Sequence, residues 1–390
     1  MDVTTGGTVR RLRAAVIGTG FVGPFHVDAI RRTGLGEVVA IAGSDAGRTA
    51  AKAAALGVER WTADAAELIA DPSIDVIHIC TPNATHVSLA EAALRAGRHV
   101  VVEKPLAMDG EAADRLVDVA GISGRHAMVA FTYRGYPMVR RARAVVGAGE
   151  LGAIRLVHGV YLQDWLAEPT DWNWRIDPVA GGASRAVADI GTHWFDTAEF
   201  ISGERIEAVL ADLATFMPLR SRPTAGSVEA FAGVSGPTES VEIASEDAAT
   251  ILVRFASGAR GACVISQVSV GHKNAFELEV GGASRSLAWA QESPERLSVR
   301  TRDEETIVVR DRGEAGPGVP SLPAGHPEGW AEALRDLLRP FYAAISDGAP
   351  PAAAVASAAY PSLADGARAI HFVDAVLRSS REGRWAALDE

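Results

Sequence analysis

Cysteine is nearly absent: Cys80 and Cys263 are the only two among 390 residues. That scarcity excludes a disulfide framework and leads us to expect a reducing, cytoplasmic home. No apolar run approaches the roughly 20 residues that cross a bilayer. Met1 to Arg13 is polar and rich in Gly and Thr, lacks the apolar centre of a signal peptide, and reads as a short tail. Positive charge is also in short supply, 38 Lys and Arg against 49 Asp and Glu, for a net charge of −11. Nucleic acid and anionic membranes both require a basic face, so neither is expected as a partner. Internal repeats and coiled-coil heptads are missing too. What is present is ordinary for a globular protein, 48% hydrophobic and 22% charged, with a length that suggests two domains.

The first third alternates short Val/Ile runs with helical patterns. Ala14–Ile17, Val38–Ala42, Val76–Cys80 and Val100–Val102 read as strands, and Phe25–Thr33, Arg48–Leu56 and His86–Ala96 as helices, the last two stopped by Gly57 and Gly97. Nearly continuous apolar strands separated by helices predict a doubly wound parallel sheet covered on both faces. The remainder changes character. Ile154–Gln163, Glu207–Phe216, Ala248–Phe255, Arg260–Val268 and Ala275–Val280 are strands in succession, two of them joined by a hairpin turn at Phe255–Ala259. This predicts an α+β second domain with a mostly antiparallel sheet. The division is placed at residue 132, giving domains 1–132 and 133–390. Pro218–Asp247 and the Gly/Pro-rich Arg312–Pro327 read as loops, and Glu328–Ser346 and Pro361–Arg378 as closing helices, the first kinked or divided at Pro340.

Gly18-Thr19-Gly20-Phe21-Val22-Gly23 follows the first strand and opens a helix. Gly18 suits a tight turn, Gly20 lets backbone N–H groups approach a pyrophosphate, and Gly23 permits close helix–strand packing. Strand, glycines, helix and second strand fall in the order a dinucleotide site needs. NAD or NADP is therefore the expected cofactor. Past the second strand the chain reads Gly43-Ser44-Asp45 with Arg48 nearby. Asp45 either meets the ribose 2′-OH or simply caps the next helix, and Ser44 with Arg48 would suit a 2′-phosphate. The reading leans to NAD.

Thr81-Pro82-Asn83 with His86 follows the third core strand, and Glu103-Lys104-Pro105 the next one. With the glycine motif, these make the chain resemble the Gfo/Idh/MocA oxidoreductases, named for glucose–fructose oxidoreductase and inositol dehydrogenase. The resemblance covers nearly the whole chain, and implies an N-terminal Rossmann domain and a C-terminal domain built on a large open, mainly antiparallel sheet. It implies NAD(P)-dependent oxidation or reduction of a sugar, polyol or related molecule by a homodimer or homotetramer formed through the C-terminal sheet. It also implies cofactor contacts from Gly18, Gly20, Phe21, Val22, Gly23, Ser44, Asp45, Arg48, Thr81, Pro82, Asn83, His86, Glu103, Lys104 and Arg134. Lys104 matches the family's catalytic lysine. Asp189 and His193, in Asp189-Ile190-Gly191-Thr192-His193 after the Gly181-Gly182 pair, match the other two members of its catalytic trio.

The chemistry of these side chains agrees with that implication. On a helix, Asp189 and His193 would lie one turn apart on the same face, with Ile190, Trp194 and Ile201 as a buried stripe and Gly203 as the stop. Histidine suits general-base work near neutrality, and a lysine cation steadies a developing alkoxide. Asp189, His193 and Asp196 could instead hold a metal. Zinc sites usually bring His or Cys clusters, however, and no cysteine is near, so no metal is expected.

For the substrate pocket, three of the eight tryptophans fall in Tyr161-Leu162-Gln163-Asp164-Trp165 and Asp171-Trp172-Asn173-Trp174-Arg175. Aromatic faces beside amides and charges suit a carbohydrate, though tryptophans packing between domains are the alternative. Tyr133 is open to the same two readings. The Tyr-Leu-Gln-Asp-Trp and Asn-Trp-Arg segments resemble a sugar-dehydrogenase branch of the family. That implies oxidation at a ring hydroxyl and substrate contacts from Lys104, Tyr133, Gln163, Trp165, Trp174, Asp189 and His193. Two other functions stay open. One is an offshoot using bound cofactor transiently, as in glycoside cleavage through a 3-keto sugar. The other is a non-catalytic nucleotide-binding regulator, which loss of Lys104, Asp189 or His193 would have favoured.

Overall fold

The computed structural model describes residues 10–224, 236–311 and 322–388. The chain begins with β1 (Leu12–Ile17), α1 (Gly23–Thr33), β2 (Gly36–Ala42), α2 (Ala46–Leu56), β3 (Arg60–Thr62) and α3 (Ala65–Ala70). It continues through β4 (Val76–Ile79), α4 (His86–Arg95), β5 (His99–Val102), α5 (Gly110–Ser123) and β6 (Ala127–Val129). These six strands form one all-parallel sheet in the order β3-β2-β1-β4-β5-β6, with the reversal of order between β1 and β4. Val76, Ile77, Ile79 and Val100 to Val102 are fully buried because helices cover both faces, which is why these strands lack the apolar–polar alternation of a half-exposed sheet.

After α6 (Pro137–Gly147) come β7 (Ile154–Leu162), the short α7 (Pro178–Gly181), α8 (Thr192–Ser202), β8 (Ile206–Ala214), β9 (Leu219–Pro223) and β10 (Thr238–Glu242). Then follow β11 (Ala248–Phe255), β12 (Arg260–Ser266), β13 (Ala275–Gly282), β14 (Ser286–Ala290), β15 (Arg296–Arg300) and β16 (Glu305–Val309). The chain closes with α9 (Trp330–Ser346), α10 (Pro351–Ala356), α11 (Leu363–Glu382) and β17 (Ala386–Ala387). Nine of these strands form a mixed sheet, β16-β15-β14-β13-β7-β12-β11-β8-β17, antiparallel except where β12 runs parallel to β7. In β11 the burial alternates residue by residue. The inner face packs on α8, α6 and α11 through Trp194, Phe195, Phe276 and Phe372. The predicted fold class, a parallel doubly wound sheet followed by a large, mostly antiparallel one, is the fold observed.

Three local expectations need correction. Pro218–Asp247 is not all loop, since β9 and β10 pair there as a two-stranded antiparallel ribbon. Most of the expected loop at Arg312–Pro327 lies outside the described residues. Pro340 does not divide α9. The ring removes the amide that would bond the Asp336 carbonyl, but Arg140 Nη2 donates to that oxygen at 2.6 Å, so the helix continues. Finally, Asp189 does not sit on a regular α-helix. Residues Val187–Gly191 make one π-helical turn leading into α8, which gives Asp189 and His193 separate directions into the same space.

The chain after the second sheet returns to the first. Leu334, Leu337, Phe341 and Tyr342 of α9 share a core with Val16, Ile41 and Val76, while Leu363 and Ile370 of α11 join the core on the sheet's other face.

Candidate active site

At the β1–α1 turn the three glycines have three different reasons. Gly18 has a φ of +103°, and a Cβ there would collide with the Cys80 carbonyl at the end of β4. At Gly23 a Cβ would collide with the Gly18 carbonyl, so that glycine lets α1 close onto the turn. Gly20 is different: a Cβ there would meet nothing within 4 Å, because its open side faces a cavity of about 980 Å³. The cavity passes the N-terminus of α1 and the ends of β2 and β4, then reaches Lys104 and the inner face of the nine-stranded sheet.

Gly18, Gly20, Phe21, Val22, Ser44, Asp45, Arg48, Thr81, Pro82, Asn83, Glu103 and Lys104 all line this space. Asp45 also caps α2, its Oδ1 accepting from the Arg48 amide at 2.8 Å. Asn83 donates from Nδ2 to the Gly181 carbonyl at 2.9 Å, tying the end of β4 to α7. Three residues expected to meet the cofactor do not line the cavity: Gly23, which closes α1 onto the turn, His86 and Arg134. Each ring nitrogen of buried His86 lies 2.8 Å from a backbone carbonyl, Thr81 on one side and Pro105 on the other. His86 therefore braces the two motif segments against each other. Arg134 is buried and its guanidinium is engaged by Asp196, with Asp365 3.2 Å away, so it ties α8 to α11.

The trio converges where the dinucleotide end of the cavity meets the sheet. Lys104 Nζ donates to Asp189 Oδ1 at 2.7 Å and to the Asp189 carbonyl at 2.9 Å. Arg175 Nε donates to the same Oδ1 at 3.0 Å, and Gln267 Nε2 to Oδ2 at 2.8 Å. Burial opposes charge on Asp189, but the Arg175 and Lys104 cations hold its carboxyl well below the usual range. His193 is buried against Tyr133, ring centroids 4.8 Å apart and perpendicular. Its Nδ1 has no hydrogen-bond partner among the described residues. Burial, reinforced by the nearby Lys104 charge, pushes its pKa well below the ordinary histidine value. The imidazole is therefore neutral at pH 7, and the carboxylate is ionised. No group of three or more His, Cys, Asp or Glu able to hold a metal occurs among the described residues.

Beyond the trio lies a polar floor. Tyr161 donates to Asn274 Oδ1 at 2.7 Å, so the 2.6 Å contact between the Tyr133 and Tyr161 hydroxyls runs from Tyr133 to Tyr161. Asn274 Nδ2 completes the ring by donating to the Tyr133 oxygen at 3.3 Å. Gln163 joins through Nε2 to Asn274 at 2.9 Å and accepts from Trp165 Nε1 at 2.9 Å. Burial raises the Tyr133 phenol to about 12, so it stays protonated. Trp174 lines the wall, with the Arg175 guanidinium 4.5 Å from its ring centroid. At the rim, Lys273 pairs with Asp164 at 2.7 Å. Arg175, Gln267 and Tyr161 were not anticipated as site residues. Arg175 and Tyr161 sit in the aromatic-polar segments that marked the pocket, but Gln267 carries no sequence signal.

The description "Oxidoreductase family, NAD-binding Rossmann fold" matches residues 12–131, and that of a GFO/IDH/MocA C-terminal domain matches residues 139–288. Levoglucosan dehydrogenase of Pseudarthrobacter phenanthrenivorans is 30% identical over 97% of this chain and 98% of its own length. The chain belongs to the Gfo/Idh/MocA oxidoreductase family. Inositol 2-dehydrogenase of Rhizobium meliloti is 28% identical over 97% of this chain and 99% of its own. Among solved structures, an oxidoreductase domain protein from Kribbella flavida superposes with a TM-score of 0.86 at 32% identity, covering 97% of this chain and all of that one. A levoglucosan dehydrogenase complex with NADH and L-sorbose gives 0.85 at 30% identity, covering 97% and 99%. As a Gfo/Idh/MocA member with the NAD-binding Rossmann fold, the protein is an NAD(P)-dependent oxidoreductase.

Proposed function

We propose that the protein is an NAD(P)-dependent dehydrogenase of a sugar, anhydrosugar or cyclic polyol, acting on a ring hydroxyl. The observation that carries this reading is the position of Lys104, Asp189 and His193 at the junction between the glycine-turn cavity and the aromatic-polar floor. Relatives named for levoglucosan and inositol support the substrate class. Residues 1–132 would hold the cofactor, and 133–390 would supply the substrate pocket and the surface for self-association.

The chain's residues fit a dinucleotide. The side of Gly20 that faces the cavity is empty, and the α1 N-terminus favours an anion there. When bound, the nicotinamide ring supplies the hydride acceptor. Lys104 spends two of its three N–H groups on Asp189, leaving one for the reacting oxygen and its developing charge. His193, neutral and lining the cavity, takes the hydroxyl proton. Asp189 is held anionic by Arg175, Lys104 and Gln267, so it orients the lysine rather than carrying the proton. Gln163, Trp165 and Trp174 hold and stack the ring.

The outer face of the nine-stranded sheet exposes Leu156, Leu252, Val264, Ile307 and Val309, which supports assembly of a homodimer or homotetramer through it. No helix of the described residues is long and apolar enough to cross a membrane, in keeping with a cytoplasmic home.

The test is a screen of mono- and anhydrosugars and inositols with NAD+ and NADP+, following absorbance of the reduced nicotinamide. Net reduction with at least one of them is expected. Activity with none would overturn the reading.

A further inference from the structure

A chain of four buried side chains runs from α9 to the residue beside Lys104. The Tyr342 hydroxyl lies 2.8 Å from His78 Nε2, His78 Nδ1 lies 2.9 Å from His26 Nδ1, and His26 Nε2 lies 2.9 Å from Glu103 Oε1. The other oxygen, Glu103 Oε2, accepts the Lys104 backbone amide at 3.1 Å. The links come from α9, β4, α1 and the end of β5, and all four side chains are buried.

The geometry leaves two proton arrangements. Burial opposes charge on Glu103, but the hydrogen bond from His26 and the nearby Lys104 charge keep its carboxyl below the usual range, so Glu103 accepts and His26 Nε2 donates. One proton then lies between the two Nδ1 atoms. If His26 were an imidazolium, it would donate to His78, His78 would donate to Tyr342, and the phenol hydrogen would have no acceptor. No further hydrogen bond of the Tyr342 hydroxyl occurs among the described residues, and a buried donor left without an acceptor is destabilising. In the opposite arrangement every donor is used: Tyr342 to His78 Nε2, His78 Nδ1–H to His26 Nδ1, and His26 Nε2–H to Glu103. Burial pushes His78 well below the ordinary histidine range, which agrees with a neutral ring.

We infer that Tyr342, His78 and His26 form a one-directional hydrogen-bond chain that fixes Glu103 and, through it, the position of Lys104. Aligned donors polarise one another, so each link strengthens the next, and the chain ends on one carboxylate that also grips the Lys104 backbone. Tyr342, His78 and His26 are positioning residues. None of them lines the cavity. The inference rests on Lys104 acting in the reaction, as proposed above.

The test is NMR on the full chain without added substrate. In protein labelled with 15N-histidine, variants at positions 26 and 78 assign the two rings. His26 is expected to carry its proton on Nε2 and His78 on Nδ1. A doubly protonated His26, or a His78 proton on Nε2, overturns the chain. The sequence has three lysines, Lys52, Lys104 and Lys273, so 13Cε-lysine protein gives three resonances, with Lys104→Met identifying the middle one. Tyr342→Phe is expected to move the Lys104 resonance and leave the other two in place. His78→Leu, which cuts the chain one link further in, is expected to do the same and serves if the first variant fails to fold. A Lys104 resonance unmoved in a folded variant overturns the positioning role. These signals are independent of catalysis, so a failed sugar screen removes the proposed function without touching this result, and the converse holds.

Discussion

The two ends of the cavity are built from different materials. The cofactor end is backbone: a glycine turn, strand ends and helix N-termini from one contiguous βαβ stretch and its neighbours. The substrate end is side chains. Tyr133, Tyr161, Gln163, Asn274, Arg175 and Gln267 come from segments up to 141 residues apart; the first four are held by hydrogen bonds to one another, and Arg175 and Gln267 by hydrogen bonds to Asp189. A backbone cradle tolerates few residue types at fixed spacings, whereas a side-chain network is specified only when the fold assembles it. Lys104 stands between them, on a strand end of the first sheet but bonded to Asp189 of the second.

Removing the shared residue should have the largest effect. Lys104→Met strips the reacting oxygen of its cation and leaves the glycine turn intact, so turnover should fall by about 10³-fold or more. NADH affinity, read by fluorescence titration, should stay within about twofold. Retained turnover would show that the two ends do not meet at this residue.

The glycines then separate fold from binding within the cofactor end. Gly18→Ala forces a side chain into the Cys80 carbonyl at a positive φ, and should cost about 1–3 kcal/mol of stability as well as cofactor affinity. Gly20→Ala meets only the cavity, so affinity should drop while the Tm holds. Equal losses of Tm in both variants would contradict this division.

At the substrate end the expected effect is smaller. Tyr161→Phe breaks the ring of hydroxyl and amide bonds, leaving Tyr133 without its acceptor and Asn274 without one donor. A loss of about 1–2 kcal/mol corresponds to a 5- to 30-fold rise in KM for a sugar found active in the screen, with cofactor affinity unchanged. An unchanged KM would mean the floor is packing rather than recognition.

The same contrast explains what was legible beforehand. The parallel sheet, the glycine turn and the Lys104 motif were readable because each is local. In β14, the run Ser286-Leu287-Ala288-Trp289-Ala290 has no β-branched residue and takes its form from pairing with β13 and β15. Helices α5, α6 and α10 were not anticipated either. Pro340 misled because the side chain that rescues its helix, Arg140, is 196 residues away from the carbonyl it bonds. Arg134 and His86 were placed near the cofactor by motif position, yet their side chains turn into the protein, a direction that spacing does not specify. Gln267 gave no signal because a glutamine at a strand end acquires meaning only once Asp189 faces it.

Acid should distinguish the two halves in a last and smaller way. In the first sheet and its helices, burial lowers the pKa of His78 and His126, and holds His99 at about 4. These groups are neutral in the folded protein, while the unfolded chain takes up protons near pH 6.5, so their contribution to stability is complete above that pH and is lost as pH falls below it. The second half has one such group, His193, and an opposite one: burial raises Asp196 to about 6. A carboxyl with a raised folded-state pKa binds its proton before the unfolded chain does, so lowering the pH through 6 favours the fold there. Between pH 7 and 5, amide exchange should therefore lose protection in β4, β5 and β6 before β7, β12 and β13. Equal loss in both sheets would mean that α9 and α11, packed against the first sheet, transmit its weakening to the second and make the two unfold as one unit.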